Sequence, residues 1–124
     1  MIYKTRHFYR WARKASLSDD ALCHAVSEIR QGLVDADLGS GIIKKRIALP
    51  GHGKRGSTRT LLATNRNNRW IFMYGFEKNE RANISPTELE ALKLLASDLL
   101  ALTDAQVSEA VDKGYILEVA HEAA

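Results

Sequence analysis

Residues 41–75 read GIIKKRIALPGHGKRGSTRTLLATNRNNRWIFMYG and contain three short β-prone runs separated by two turn-rich segments. The runs cover 41–49, 57–64 and 69–75, and the segments between them read PGHGKRG and NRNN. Strands joined by connections this short pair in antiparallel fashion. The stretch therefore predicts a three-stranded antiparallel block on which the rest of the fold is built.

The third run is apolar on both faces. Because successive side chains of a strand point to opposite faces, Ile71 and Met73 share one face, and the aromatic residues share the other: Trp70, Phe72, Tyr74 and Phe76. Apolar residues on both faces are typical of a buried strand. We therefore expect this run to be the central strand of the sheet.

Two helices are predicted before the block. Four apolar residues recur at helical spacing and form the inward stripe of a first helix within residues 1–16: Phe8, Trp11, Ala12 and Ala15. Ser18 precedes two aspartates and is typical of an N-cap, so a second helix is expected over about 18–31. Residues 34–40 are mostly small and acidic and predict a loop.

Two further helices are predicted after the block. Ser85 and Glu88 have the spacing of a capping box, with a proline at the first helical position, and a leucine-rich stripe follows. The same spacing recurs at the next boundary, so another helix is expected from Asp104 to a stop at Gly114. The run 115–119 predicts a short final strand.

Length and composition predict one compact domain over residues 1–124. The chain is 45% apolar and 27% charged with two prolines, which is the composition of a folded globular protein. The longest apolar run, 70–76, is far shorter than the roughly 18 to 20 residues of a membrane-spanning helix, so no membrane partner is expected. Cys23 is the only cysteine. An internal disulfide is therefore excluded, and a reducing cytoplasmic location is favoured.

The charges are sorted along the chain. Residues 38–76 contain no Asp or Glu but eight cations: Lys44, Lys45, Arg46, Lys54, Arg55, Arg59, Arg66 and Arg69. A surface that is merely solvated normally mixes the two signs, because mixing avoids self-repulsion. The segregation therefore favours a polyanionic partner.

Two segments of this basic stretch could carry chemistry. The loop GHGKRGS, 51–57, combines glycines that let backbone amides approach an anion with Lys54 and Arg55. The segment YGFEKNE, 74–80, ends the third strand and offers Lys78 as a cation or proton donor beside rings on which a base could stack. The alternative interpretations are a plain basic turn, core aromatic residues and a surface lysine. No P-loop, zinc-ligand or hydrolase motif occurs, so neither a cofactor nor a metal is predicted.

The segments KKRIALPGHGKRGSTRTLL (44–62) and WIFMYGFEKNERANISPTELEALKLLA (70–96) resemble the RelE/HigB-type toxins of bacterial type II toxin-antitoxin systems, in the phage-related RelE-like branch. The most specific elements are the K-K-R strand, the G-x-G-K loop closed by Arg59, and the Y-G-F-x-K-N-E strand end. The resemblance implies a RelE/ParE-like α+β fold. Its helices would pack on one side of a twisted, mainly antiparallel sheet of three or four strands and leave a basic concave face.

The resemblance also implies a function and a site. The function is that of an mRNA interferase, a ribosome-dependent endoribonuclease in which a 2′-hydroxyl attacks the adjacent phosphate without a metal. The catalytic positions it implies are Arg46, Lys54, Arg59 and Lys78. The two arginines would clamp the scissile phosphate, and either lysine would move a proton or hold the leaving oxygen. The RNA-binding positions are Lys44, Lys45, His52, Arg55 and Phe76, with His52 also an additional acid or base. The implied partners are mRNA on the ribosome and an antitoxin, most often a helix-turn-helix repressor.

Two other functions stay open at this point. A ParE-like toxin would share the fold but poison DNA gyrase, and it has no need of the clustered Arg46, Arg59 and Lys78. A non-catalytic nucleic-acid-binding phage accessory protein would lose affinity gradually when single cations are removed, whereas an enzyme would lose activity steeply at one or two positions.

Overall fold

The structure of the protein is a computed structural model that describes residues 1–49 and 57–120. These residues form six strands and four helices. The strands are β1 (Ile2–Thr5), β2 (Ala36–Gly39), β3 (Ile42–Ala48), β4 (Ser57–Thr64), β5 (Trp70–Glu77) and β6 (Ile116–Glu118). The helices are α1 (Arg6–Ala15), α2 (Asp19–Arg30), α3 (Pro86–Ala101) and α4 (Asp104–Asp112).

The strands form one mixed sheet in the order β2-β3-β4-β5-β1-β6. β1 runs parallel to β5, and the other neighbouring strands are antiparallel. The predicted antiparallel block is confirmed as β3, β4 and β5, and the α+β class is confirmed with it. The sheet has six strands, more than the three or four expected.

Two of the strands lie where the sequence predicts other structure. β1 occupies the start of the stretch predicted to be helical, and β2 lies in the predicted loop 34–40. Each strand has only four residues, which is too few for a local period to show. β1 is held by pairing with a distant segment, since Ile2 lies opposite Trp70. The expectations for these two segments are therefore wrong, because non-local pairing decides them.

The predicted helix starts are confirmed. The side chains of Ser18, Ser85 and Thr103 cap α2, α3 and α4, and the last two form complete capping boxes. The final strand is also where the sequence predicts it, at β6. None of the helices described in residues 1–49 and 57–120 is both long and apolar enough to span a bilayer.

Helices cover both faces of the sheet. On the first, here called the α1–α2 face, Phe8 and Leu22 pack against Phe72. On the second, the α3–α4 face, Ala96 and Leu99 join the core that contains Leu61. The central strands are buried on both sides, so each face needs its own apolar layer. The expectation that helices pack on one side only is therefore wrong.

A β-bulge in β5 changes which side chains share a face. Leu62 of β4 lies opposite Phe72, whereas the preceding Leu61 lies opposite Tyr74, so Met73 is an extra residue in β5. Phe72 consequently belongs to the core of the α1–α2 face, and Tyr74 packs against the core of the α3–α4 face. The predicted placement of all four aromatic residues on one face is therefore wrong. The bulge brings Tyr74 and Phe76 onto the α3–α4 face.

Candidate functional site

Two arginines lie side by side on the α3–α4 face. Arg46 of β3 lies directly opposite Arg59 of β4, and Arg59 lies opposite Phe76 of β5. Residues directly opposite each other in antiparallel strands share a face, with Cβ atoms about 4.5 to 5.5 Å apart. Arg46 is exposed and Arg59 is half-buried. Strand register thus brings together two of the four predicted catalytic residues.

No carboxylate neutralises this arginine pair within the described residues. Neither side chain takes part in an ion pair there. Arg59 donates a hydrogen bond from Nη1 to Ser57 Oγ at 3.4 Å. Like charges directly opposite each other destabilise a sheet, and a bound anion would remove that repulsion. The arrangement is therefore chemically suited to binding an anion.

The next row on the same face carries Lys44. This lysine lies opposite Leu61, which in turn lies opposite Tyr74. Lys44 is half-buried and makes no ion pair within residues 1–49 and 57–120. The cationic surface therefore extends from the arginine pair along β3.

Lys78 lies at the same end of the sheet as the arginine pair. It is exposed and directly follows β5, in a turn where Glu80 and Arg81 each donate a backbone hydrogen bond to Glu77 O. Glu77 is opposite Thr58, the neighbour of Arg59. Lys78 is thus the first residue after β5, one position beyond the pair formed by Glu77 and Thr58.

Phe76 is not open for base stacking in this structure. Its side chain is 3% exposed, and the guanidinium of Arg81 lies 5.7 Å from the ring centroid. A base could reach this ring only after Arg81 moved away. The ring instead packs against the Arg81 guanidinium.

Lys45 lies on the opposite face from the predicted site. Lys45 is buried, with 7% of its surface exposed. Its Nζ donates a hydrogen bond to Leu33 O at 2.9 Å and forms an ion pair with Glu28 Oε1 at 3.3 Å. Neighbouring residues of a strand point to opposite faces, so the K-K-R run cannot present all three cations to one ligand. This placement does not support the phosphate contact that the sequence predicts for Lys45.

Three further predicted residues, His52, Lys54 and Arg55, lie outside the described residues.

The family of the chain follows from a comparison with known proteins. The family described as the RelE toxin of the RelE / RelB toxin-antitoxin system matches residues 1–119. The chain belongs to this RelE toxin family. It is therefore the toxin of a toxin-antitoxin system, a class that pairs with an antitoxin. The comparisons found no match among curated proteins or among solved structures.

The sequence did not indicate a polar network that this RelE toxin builds next to Lys78. Glu88, at the start of α3, accepts hydrogen bonds from both terminal nitrogens of Arg81, from Tyr74 Oη at 2.9 Å and from the backbone N–H of Ser85 at 3.0 Å. Arg81 also donates from Nε to Asn83 O. The network, here called the Arg81–Glu88 network, ties the turn after β5 to α3.

The network shifts the pKa of its members. The hydrogen bonds from Arg81 hold the pKa of the Glu88 carboxyl well below its usual range, and those from Ser85 and Tyr74 add to the effect. Burial raises the pKa of Tyr74, and its hydrogen bond to Glu88 raises it further. The sequence predicts Glu88 as part of a helix cap. It does not predict the contact with Arg81, because that contact depends on the path of the turn after β5.

Proposed function

We propose that this toxin is a ribosome-dependent mRNA endonuclease that cleaves by metal-independent attack of a substrate 2′-hydroxyl. The observation that carries the proposal is the Arg46–Arg59 pair, which has no carboxylate partner in the described residues and lies beside the turn that contains Lys78. Membership of the RelE family supports a nuclease in general terms.

In the proposed reaction the 2′-oxygen forms a bond to phosphorus while the bond from phosphorus to the 5′-oxygen breaks. The products are a 2′,3′-cyclic phosphate and a 5′-hydroxyl. The 2′-hydroxyl loses one proton to a base, and the leaving 5′-oxygen gains one. Arg46 and Arg59 would stabilise the extra negative charge of the pentavalent transition state, where fixed cations are most effective. Lys78 or Lys54 would transfer a proton or hold the leaving oxygen.

The substrate and the partner follow from the same proposal. The substrate is mRNA aligned by the ribosome, which places the toxin in the cytoplasm. Lys44 and Arg55 would contact flanking phosphates, and His52 would contact RNA or serve as an additional acid or base. The antitoxin would be a helix-turn-helix repressor encoded beside the toxin.

The experiment is inducible expression of the wild-type toxin, with primer extension on a translated mRNA and with identification of the RNA ends. We expect growth arrest, cuts within translated codons, and 5′-hydroxyl ends that polynucleotide kinase labels without prior phosphatase. In a reconstituted reaction, cutting should need ribosomes and should stop when the nucleotide at the cut carries 2′-deoxyribose, which lacks the attacking hydroxyl. Growth arrest with intact mRNA and inhibited gyrase would support the ParE-like alternative. Binding of nucleic acid without cleavage or toxicity would support the accessory-protein alternative.

A further inference from the structure

A cleft of about 490 Å³ lies between α1 and the last residues of β5. β1 ends at Thr5, so no strand among residues 1–49 and 57–120 pairs with β5 beyond Phe72 on this side, and α1 lies there instead. The cleft is bounded by side chains of α1 on one side and by Arg81 on the other. It is here called the α1–β5 cleft.

The α1 side of the cleft is cationic. Arg10 and Lys14 line it, are exposed, and lie four residues apart on one side of the helix. Neither side chain makes a hydrogen bond or an ion pair within the part of the chain that the structure describes. The lining also includes one carboxylate, that of Glu80. Arg10 and Lys14 are thus free to bind an anionic group.

The floor of the cleft is aromatic and closely fitted to the strand. Trp11 lies over Gly75 so closely that a Cβ added at Gly75 would be 2.2 to 2.6 Å from three atoms of the indole ring. Next to it the rings of His7 and Tyr74 stack with 5.6 Å between centroids and 4° between planes. His7 is exposed and Trp11 half-buried, so both rings can accept a further planar group.

The opposite wall is fixed in place by hydrogen bonds. Arg81 is held by Glu88 and Tyr74 and lies over the ring of Phe76. Phe76 is in turn directly opposite Arg59. Phe76 therefore links the lining of the cleft to the strand position next to the Arg46–Arg59 pair on the α3–α4 face.

We propose that the α1–β5 cleft is an RNA subsite that takes one single-stranded nucleotide flanking the scissile phosphate. Arg10 and Lys14 bind its phosphate, and the rings of Trp11 and His7 stack with its base, the combination by which proteins hold single-stranded nucleic acid. An acidic peptide would use the cations but not the stacked rings. The inference rests on the proposed function, because the bound nucleotide is defined as a neighbour of the scissile phosphate.

The test measures binding of a fluorescein-labelled oligoribonucleotide carrying 2′-O-methyl groups at every position, which cannot be cleaved by a 2′-hydroxyl. Arg10→Ala and Lys14→Ala should each weaken binding about tenfold at about 50 mM salt, the order expected for the loss of one phosphate contact. The control of equal charge is Arg66→Ala. Arg66 is also an exposed arginine, but it lies in the turn between β4 and β5, paired with Asp37 and outside the cleft lining. It should change affinity by less than about threefold.

A second measurement is tryptophan fluorescence. The other tryptophan, Trp70, is 1% exposed and out of reach of the oligonucleotide. RNA binding should therefore quench the fluorescence of Trp11, and this quenching should disappear in Trp11→Phe. Equal losses for Arg10→Ala and Arg66→Ala, no binding at low salt, or binding without quenching would each overturn the proposal. Quenching by the antitoxin but not by RNA would overturn it in favour of a protein site. A toxin that fails to cut mRNA but still shows the Arg10-specific loss and the quenching would contradict the proposed function and leave the RNA-binding cleft standing.

Discussion

At the scale of single residues, position on the sheet decides what each cation does. Lys44, Lys45 and Arg46 are consecutive, yet the middle one is buried against α2 while its neighbours face the opposite side. Arg69 belongs to the same basic stretch but is 9% exposed and bonds to the end of α3. Charge in the sequence is therefore divided between structural and ligand-binding uses.

Arg59 should matter for catalysis and not for stability. Arg59→Ala is expected to slow mRNA cleavage about 10²- to 10³-fold, because it removes a preorganised group that stabilises transition-state charge. Its melting temperature should equal or exceed that of the wild type, since the like-charge contact with Arg46 costs about 0.2 to 1 kcal/mol. Primer extension and thermal melts measure the two effects, with Arg66→Ala, an exposed arginine paired with Asp37, as the control of equal charge. A folded Arg59→Ala that cuts like the wild type would contradict the catalytic role.

Arg69, in contrast to Arg59, should matter for stability and not for catalysis. Its Nη1 donates to Leu99 O at 3.1 Å and to Leu102 O at 2.6 Å, which satisfies carbonyls at the end of α3. Arg69→Ala should lower the free energy of unfolding by about 1.5 to 3 kcal/mol, the usual value of hydrogen bonds to a charged group, and leave the cleavage rate of the folded protein unchanged. Urea denaturation measures this loss. A change as small as that of Arg66→Ala, expected within about 0.5 kcal/mol, would mean that solvent satisfies these carbonyls.

At the scale of elements, local signals predicted the helix starts, and non-local pairing decided the rest. Ser18, Ser85 and Thr103 carry their own capping chemistry, so motifs of four consecutive residues sufficed to predict these helix starts. β1 depends on pairing with the distant β5, and the bulge at Met73 depends on the register between β4 and β5. Neither feature is visible in the local sequence period. The residues of the candidate site divide in the same way between predictable and unpredictable contacts. Strand spacing brings Arg46 and Arg59 together, whereas the Arg81–Glu88 network requires the path of a turn.

The Arg81–Glu88 network should make stability depend on pH. The pKa of Glu88 is lower in the folded protein than its ordinary value. The carboxylate therefore stabilises the fold above its unfolded pKa of about 4.3, and this stabilisation is lost as pH falls below that value. Glu88→Gln should melt below the wild type at pH 7, and the difference should shrink as pH is lowered from about 5 toward 2.

The measurement is thermal melting of both proteins across this pH range. Glu90→Gln is the control on the same helix, since Glu90 is exposed with one contact to Lys93 at 3.7 Å, and its effect at pH 7 should stay within about 0.5 kcal/mol. A gap between Glu88→Gln and wild type that stays constant from pH 7 to pH 2 would show that the charge of Glu88 is not what holds the network.

At the scale of the whole molecule, the acid-free stretch 38–76 predicted a polyanionic partner but did not predict which surface would bind it. The stretch supplies β3, β4 and β5, whose two faces are both partly covered by helices. Alternation along the strands sends Lys44, Arg46 and Arg59 to the α3–α4 face and Lys45 to the other. Composition alone cannot reveal this division, because it depends on which face each helix covers.

Salt dependence of RNA binding should distinguish the two faces. The logarithm of the binding constant falls linearly with the logarithm of salt concentration, with a slope that grows by about one for each phosphate contact. Lys44→Ala should reduce that slope by about one and leave stability within about 0.5 kcal/mol. Lys45→Ala should leave the slope unchanged and lower the free energy of unfolding by about 1 to 3 kcal/mol, because it removes the bonds to Leu33 and Glu28. Titrations of a labelled oligoribonucleotide at several salt concentrations, with urea denaturation of each protein, give both quantities. The two variants remove the same charge from adjacent positions, so equal slopes would mean that RNA responds only to net charge and that the α3–α4 face is not its binding surface.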